Sequence, residues 1–298
     1  MTDTYQYHPL QLGSQRRQRT IRIIVYTLLT LTALLYVLPL FIVFLNSFRD
    51  LQEINRTSLI GWPQSFSLDA WGKAWGEVQI GGNGGGISPY FINSFLMVVP
   101  ATLISTALGA INGYALSIWR FPGHKWVFGI MLFGVFVPGQ LMLLPWAMIL
   151  GTIKLSNSWM GLVVVHVVFG IGFVTLFFRN FYVQIPDEII RAARIDGAGF
   201  WRIFWRIILP LSPPIIIVTI IWEFTHAWNE YLYASTFTSG YNRPITAALI
   251  AISGTNQVAP EYNIQSAAVI IAALPTLAIY LFGGRYFLRG LAAGAVKG

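Results

Sequence analysis

Residues Pro186 to Pro210 read PDEIIRAARIDGAGFWRIFWRIILP, a polar, charged island between two long apolar runs. Pro186 suits the first turn of a helix, and Asp187 and Glu188 offset the positive end of its dipole. Ile189, Ala192 and Ala193 then share one face at helical spacing, while Arg191 and Arg194 point elsewhere. Gly197 and Gly199 supply the backbone angles that end a helix. A second short helix comes next, with Trp201, Phe204, Trp205 and Ile208 at i, i+3, i+4 and i+7. Arg202 and Arg206 share its other face, the pattern of a basic helix lying on a bilayer surface. Pro210 closes it, and Pro213-Pro214 open the next apolar run. The spacing predicts a helix, a glycine break and an interfacial helix, together a stiff elbow. The plainer alternative is an ordinary connecting loop.

Composition places the elbow in a membrane protein. The 298 residues are 55% hydrophobic and 10% charged, with a mean hydropathy of +0.63. A soluble domain carries about 25% charged residues. Apolar runs near 20 residues span about 30 Å of hydrocarbon. Six such runs are predicted, over about 23–44, 91–119, 126–150, 159–178, 213–237 and 264–284. The first is too long for a signal-peptide core and is expected to stay as an anchor. There are no cysteines, which excludes disulfides and thiol chemistry. The four histidines show no i, i+4 pair, so no metal site is expected.

Six spans put both termini on one side, and the basic residues say which. Of the 19 Lys and Arg, only Arg49, Arg56, Lys73, Lys154 and Arg243 fall in the loops opposite the elbow. The other fourteen share the side of the termini, which makes that side cytoplasmic. The expected organisation is a cytoplasmic tail over 1–22, a membrane domain over 23–288 that contains the elbow at 186–210, and a cytoplasmic tail over 289–298. The net charge of +8 is thus explained by topology, without nucleic acid. The glycine run Gly81 to Gly86 reads as a turn on the outer side; no Lys-Ser/Thr comes after it, so it is no phosphate loop.

The elbow resembles the EAA loop of ABC-importer permease subunits. That pattern is Glu-Ala-Ala, three residues, Gly, nine residues, Ile, one residue, Leu-Pro. Ala192-Ala193, Gly197, Ile207 and Leu209-Pro210 stand at those offsets. Arg191 stands where the pattern has glutamate. The tail Gly290 to Gly298, Trp228-Asn229-Glu230-Tyr231-Leu232 and Ile111 to Leu116 are similar to the second permease of maltose-type carbohydrate importers. Ile195 to Phe200 and Phe204 to Pro210 look most like glucose/mannose-type permeases.

The resemblance implies an all-α, six-helix type I importer fold in a bacterial cytoplasmic membrane. It implies a second, homologous permease, two ATPase subunits, an extracytoplasmic solute-binding protein and a sugar substrate. The loops 46–89 and 238–263 would face the binding protein. ATP and magnesium would sit on the partner ATPases, since no GxxxxGK[ST] occurs here; the chain itself would hold no cofactor and no catalytic residue. Glu188, Arg191, Ala192, Ala193, Asp196, Gly197, Ile207, Leu209 and Pro210 would form the ATPase contact. Glu188, one turn before Arg191, would replace the missing glutamate, or the partner surface differs. The docked helix would swing the fourth and fifth spans. Pro138, Pro145 and Pro275 either permit bending there or are static kinks.

Ionisable groups at membrane depth face a cavity or a partner. Trp228, Asn229 and Glu230 offer a ring, an amide and an acceptor suited to a sugar. They either border the pathway or bond the partner permease. Glu223 and His226, three residues apart, either face a cavity or pair with each other; His166 reads as a packing residue. The competing class is an ion-coupled secondary transporter using Glu223 and Glu230, though no inverted repeat supports it. A membrane enzyme would need a nucleophile–base or metal constellation, and none is at usable spacing.

Overall fold

The computed structural model describes residues 12–255 and 261–295, with side chains described for 17–252 and 261–284. Among these residues the regular structure is helical, apart from one isolated bridge between Ile80 and Asn83 that closes the glycine turn. The chain opens with α1 (Leu12–Asn46), then two short helices on the far side, α2 (Leu51–Arg56) and α3 (Asp69–Gly76). α4 (Ser88–Tyr114) ends in a π turn, Ala115–Trp119. Next come α5 (His124–Val135), a 3-10 turn (Gly139–Met142) and α6 (Leu143–Thr152). α7 (Trp159–Tyr182) leads into the elbow.

Four helices are long and apolar enough to cross a bilayer: 17–46, 88–119, 159–182 and 262–284. Six crossings result if each of two bent pairs counts as one. The predicted third span, 126–150, is one of them. It is two pieces meeting at 98° around Pro138, whose extended backbone (φ −58°, ψ 129°) cannot continue a helix. The other joins 200–211 to α11 (Pro213–Asn229) at 78°, where Pro213 and Pro214 lack the donors that would carry the helix across Ser212.

The fifth span, predicted to reach 237, is shorter. Its helix stops at Asn229, and α12 (Leu232–Phe237) starts afresh after Glu230. α13 (Ile245–Thr255) and α14 (Tyr262–Ala295) complete the chain. Neither predicted tail boundary coincides with a helix end: α1 already begins at Leu12 and α14 runs to Ala295. The rest of the two tails, 1–11 and 296–298, lies outside the described residues.

α4 and α7 pack so closely that a Cβ on Gly113 would fall 2.6 Å from the Phe178 Cβ and 2.9 Å from the Arg179 nitrogen. Small residues let membrane helices approach to backbone contact, where dispersion and weak polar contacts hold them. Two apolar cores result. One gathers α4, α7, α11, α13 and α14 around Trp228, Met97 and Ile245. The other, around Tyr114, Phe178, Tyr182 and Phe204, seats the elbow. α1 contributes little to either, being 6% buried along its apolar window.

Candidate functional site: the elbow and the groove beside the fifth span

The first half of the elbow is α8 (Asp187–Ile195), with Asp187 and Glu188 in its first turn and Arg194 in its last, each matched to the dipole. It ends in a left-handed residue, Gly197 (φ +74°). The Gly197 N–H donates to Arg194 O at 3.0 Å and the Ala198 N–H to Ala193 O at 2.9 Å, satisfying two carbonyls the helix leaves open. The inward residue differs from the predicted one. Ile190 is buried with Ala193 beside it, whereas Ile189 and Ala192 are exposed, because the helix turns Ile190 toward the core containing Tyr182 and Phe204. Glu188, Arg191, Ala192, Asp196 and Gly197 form an exposed tip, with Ile195 85% accessible. Arg191 Nη2 lies 3.8 Å from Asp187 Oδ2, both side chains largely exposed. Such a pair contributes at most about 0.5 kcal/mol and leaves the guanidinium available.

The second half is α9 (Phe200–Ile203), a π turn (Phe204–Ile208) and the short α10 (Leu209–Leu211). The predicted apolar stripe is split. Ile203, Phe204 and Ile208 are buried, while Trp201 and Trp205 stand out beside Arg202 and Arg206. Trp201 and Trp205 keep i, i+4 spacing on one side and Phe204 and Ile208 on the other, and the core containing Tyr114 and Tyr182 takes the second pair. Ile207 and Leu209 are half-buried, and Pro210 is exposed.

Three helix ends hold the elbow. At α4, the Tyr114 hydroxyl donates to Phe200 O at 3.3 Å, and its ring lies 4.7 Å from Phe200 and 5.6 Å from Phe204. Arg194 donates to Ile118 O at 3.3 Å and lies 5.1 Å above the Trp119 ring. At the junction of α7 and α11, the Tyr182 and Ser212 hydroxyls are 3.0 Å apart, and Ser212 donates onward to Ile208 O at 2.6 Å. The base of the elbow is thus bonded to the ends of the second, fourth and fifth spans.

On α11 the structure separates Trp228 from Asn229 and Glu230. Trp228 is 1% exposed; its Nε1 donates to Ala272 O on α14 at 2.9 Å, and it stacks on Phe224 at 5.5 Å. It is a core residue of this chain. Asn229 is exposed, and Glu230 accepts from the N–H groups of Tyr233 (2.8 Å) and Ala234 (3.1 Å), capping α12. Glu223 and His226 do not pair. Glu223 is buried and accepts from Ser105 at 3.3 Å; His226 is exposed and stacks on Trp222 at 5.2 Å and 10°. His166 is buried, its ring 6.4 Å from that of His226. Asn229, Glu230, His226, Thr225 and Trp222 line an open groove of about 440 Å³ with Tyr280. Trp222, His226 and Glu230 also border an adjoining cavity of about 260 Å³ that reaches Gln140 and Tyr233. The sequence reasoning missed Trp222, although its i, i+4 spacing from His226 was legible.

The described residues form an apolar helical bundle of four to six candidate spans, with an elbow braced on three helix ends and an exposed tip. Residues 12–291 match the binding-protein-dependent transport system inner membrane component family, and the chain belongs to it. A probable ABC transporter permease of Pyrococcus horikoshii is 42% identical over 170 residues, 57% of this chain; the chain spans 61% of that relative's length. The diacetylchitobiose uptake permease NgcG of Streptomyces coelicolor is 28% identical over 91% of this chain and 88% of its own. The xylose/arabinose import permease XacI of Haloferax volcanii is 32% identical over 69% and 73%. A crystal structure of a bacterial ABC transporter involved in alginate import shares the fold, with a TM-score of 0.78, 19% identity, and 96% and 100% coverage.

Proposed function

We propose that this chain is one permease subunit of an ATP-driven carbohydrate importer in a bacterial cytoplasmic membrane, with both termini cytoplasmic. It pairs with a second permease and two ATPase subunits and receives solute from an extracytoplasmic binding protein. Family membership supports the transport role, and relatives named for diacetylchitobiose and xylose/arabinose support a sugar. Their substrates differ in size and ring type, which widens the field beyond the glucose/mannose class that the elbow resembles. ATP and magnesium belong to the partner ATPases.

The observation that carries the coupling role is the elbow's division of labour. Its exposed tip, Glu188 to Gly197, offers Glu188, Arg191, Ala192 and Asp196 to a partner, while its base is bonded to α4, α7 and α11. Ala193, Ile207 and Leu209 pack the base, and Pro210 lies exposed in α10 just before the bend into α11. Closing of the ATPase dimer would push the tip and tilt three spans at once.

The chain has no cysteines, so Ala192→Cys and Glu188→Cys each introduce a single thiol. In the assembled transporter both should crosslink to an ATPase subunit, with yield changing between ATP-bound and nucleotide-free states. Crosslinks to lipid or to the binding protein alone would refute the coupling role.

A further inference from the structure

We propose that the groove between α11 and α14, together with the cavity running toward Gln140, is a binding subsite for an uncharged sugar ring. This rests on the carbohydrate reading above and adds the position and chemistry of the site. The floor is the stacked pair Trp222–His226, rings 5.2 Å apart and nearly parallel at 10°. Phe173 and Phe177 pack against Trp222 at 4.8 and 5.7 Å and hold the indole, and Phe173 also lines the cavity toward Gln140. The imidazole itself is exposed. An exposed histidine on a membrane-spanning helix is costly against lipid and belongs beside water or a polar ligand.

The rim supplies the polar half of a sugar's requirements. Asn229 lies one turn beyond His226 and is exposed; its amide both donates and accepts. Thr225 Oγ1 lies beneath the groove without a hydrogen-bond partner among the described residues. Gln140 is exposed where the second cavity opens, and Tyr280 faces the platform from α14. An aromatic floor with a few convergent polar groups is the usual make-up of a small-molecule site, and the joined volumes suit a ligand of one or two rings.

Charge narrows the ligand class. Among the described residues no Lys or Arg lines either cavity, and the one carboxylate there, Glu230, uses both oxygens to cap α12. A phosphorylated sugar or a uronate would enter without a countercharge, in a setting where an unpaired charge is expensive. The subsite therefore selects neutral sugars.

The test uses the full chain carrying Asn229→Cys or Tyr280→Cys, assembled with cysteine-free partners in nanodiscs without binding protein. A water-soluble methanethiosulfonate reagent is applied with glucose, xylose, N,N′-diacetylchitobiose or glucose 6-phosphate. The expected result is modification of both thiols, slowed by at least one neutral sugar and not by the phosphate. Modification indifferent to every sugar, slowed equally by the phosphate, or blocked because the partner permease covers both thiols would overturn the subsite. In addition, His226→Ala should raise the KM for sugar uptake about tenfold, the loss expected of one stacking contact worth about 1.4 kcal/mol. An unchanged KM counts against the platform. If the wild-type complex takes up no sugar, the carbohydrate reading itself falls; uptake with indifferent thiols removes the subsite alone.

Discussion

The Tyr114 hydroxyl donates to the backbone carbonyl of Phe200 at 3.3 Å, joining the end of the second span to the middle of the elbow across 86 positions of sequence. The bond and the ring do different work. Tyr114→Phe removes a hydrogen bond worth about 1 kcal/mol and keeps the packing against Phe200 and Phe204. Tyr114→Ala also opens a cavity in a fully buried site, a loss of about 3–5 kcal/mol. Thermal unfolding of the purified complex should rank them in that order, and only the alanine variant should lose sugar-stimulated ATPase activity. A phenylalanine variant as damaged as the alanine one would mean that the bond, and not the packing, seats the elbow.

The turn at Gly197 predicts a second ranking. A Cβ there meets no atom within 4 Å, so substitution acts through the backbone angle of +74° alone. Alanine should cost about 1 kcal/mol, asparagine less, and valine more, because left-handed backbone penalises a Cβ and most of all a branched one. Coupling of ATPase to uptake should fall in the order Asn, Ala, Val. Equal coupling in all three would show that the turn's geometry is not what the ATPase reads.

Which of these features could be read beforehand depends on what fixes them. The ends of α8 are set by local chemistry: proline, two acids and a left-handed glycine act within a few residues and need no tertiary partner. The long apolar runs are legible in hydropathy for the same reason. The rotation of each helix about its axis is not. Ile189 and Ile190 are equally apolar, and only the core around Tyr182 selects the second. Trp228 offers an indole that suits a sugar as well as a core, and the carbonyl of Ala272, 44 residues away, decides for the core. The π turn at Phe204–Ile208 leaves no mark in composition. Apolar residues also continue past Asn229, so hydropathy carries the fifth span through a break that a carboxylate imposes.

That break makes a prediction about Glu230. Its two oxygens take the N–H groups of Tyr233 and Ala234, and Thr246 Oγ1 donates to its carbonyl at 2.9 Å. Glu230→Ala frees both N–H groups and should cost about 0.5–2 kcal/mol, the usual loss for a missing cap. Glu230→Gln keeps one accepting oxygen and should cost about half as much. Unfolding temperature tests this directly. An alanine variant of wild-type stability with abolished uptake would instead make Glu230 a solute contact.

On the far side, Arg49 ties the loop 46–67 to the end of α1. It is 1% exposed and donates to Glu53 Oε1 (2.8 Å), Asn46 Oδ1 (2.9 Å), Ser58 O (2.8 Å) and Thr57 Oγ1 (2.6 Å). Partial burial pushes the Glu53 carboxyl up, but hydrogen bonds from Arg49 and the Gln64 N–H and the Arg49 charge outweigh it, holding the group below its ordinary value of 4.5. A carboxyl lowered on folding stabilises the fold above its unfolded pKa and loses that stabilisation as pH falls through the folded one. The loop should therefore be intact at neutral pH and loosen in acid, as pH falls below the ordinary carboxyl value and through the lowered one, seen as faster protease cleavage between Arg49 and Asp69. Glu53→Gln should be cleaved faster than wild type at pH 7 and lose the acid-dependent step. If the wild-type loop resists cleavage equally at both pH values, Glu53 is not the group that holds it.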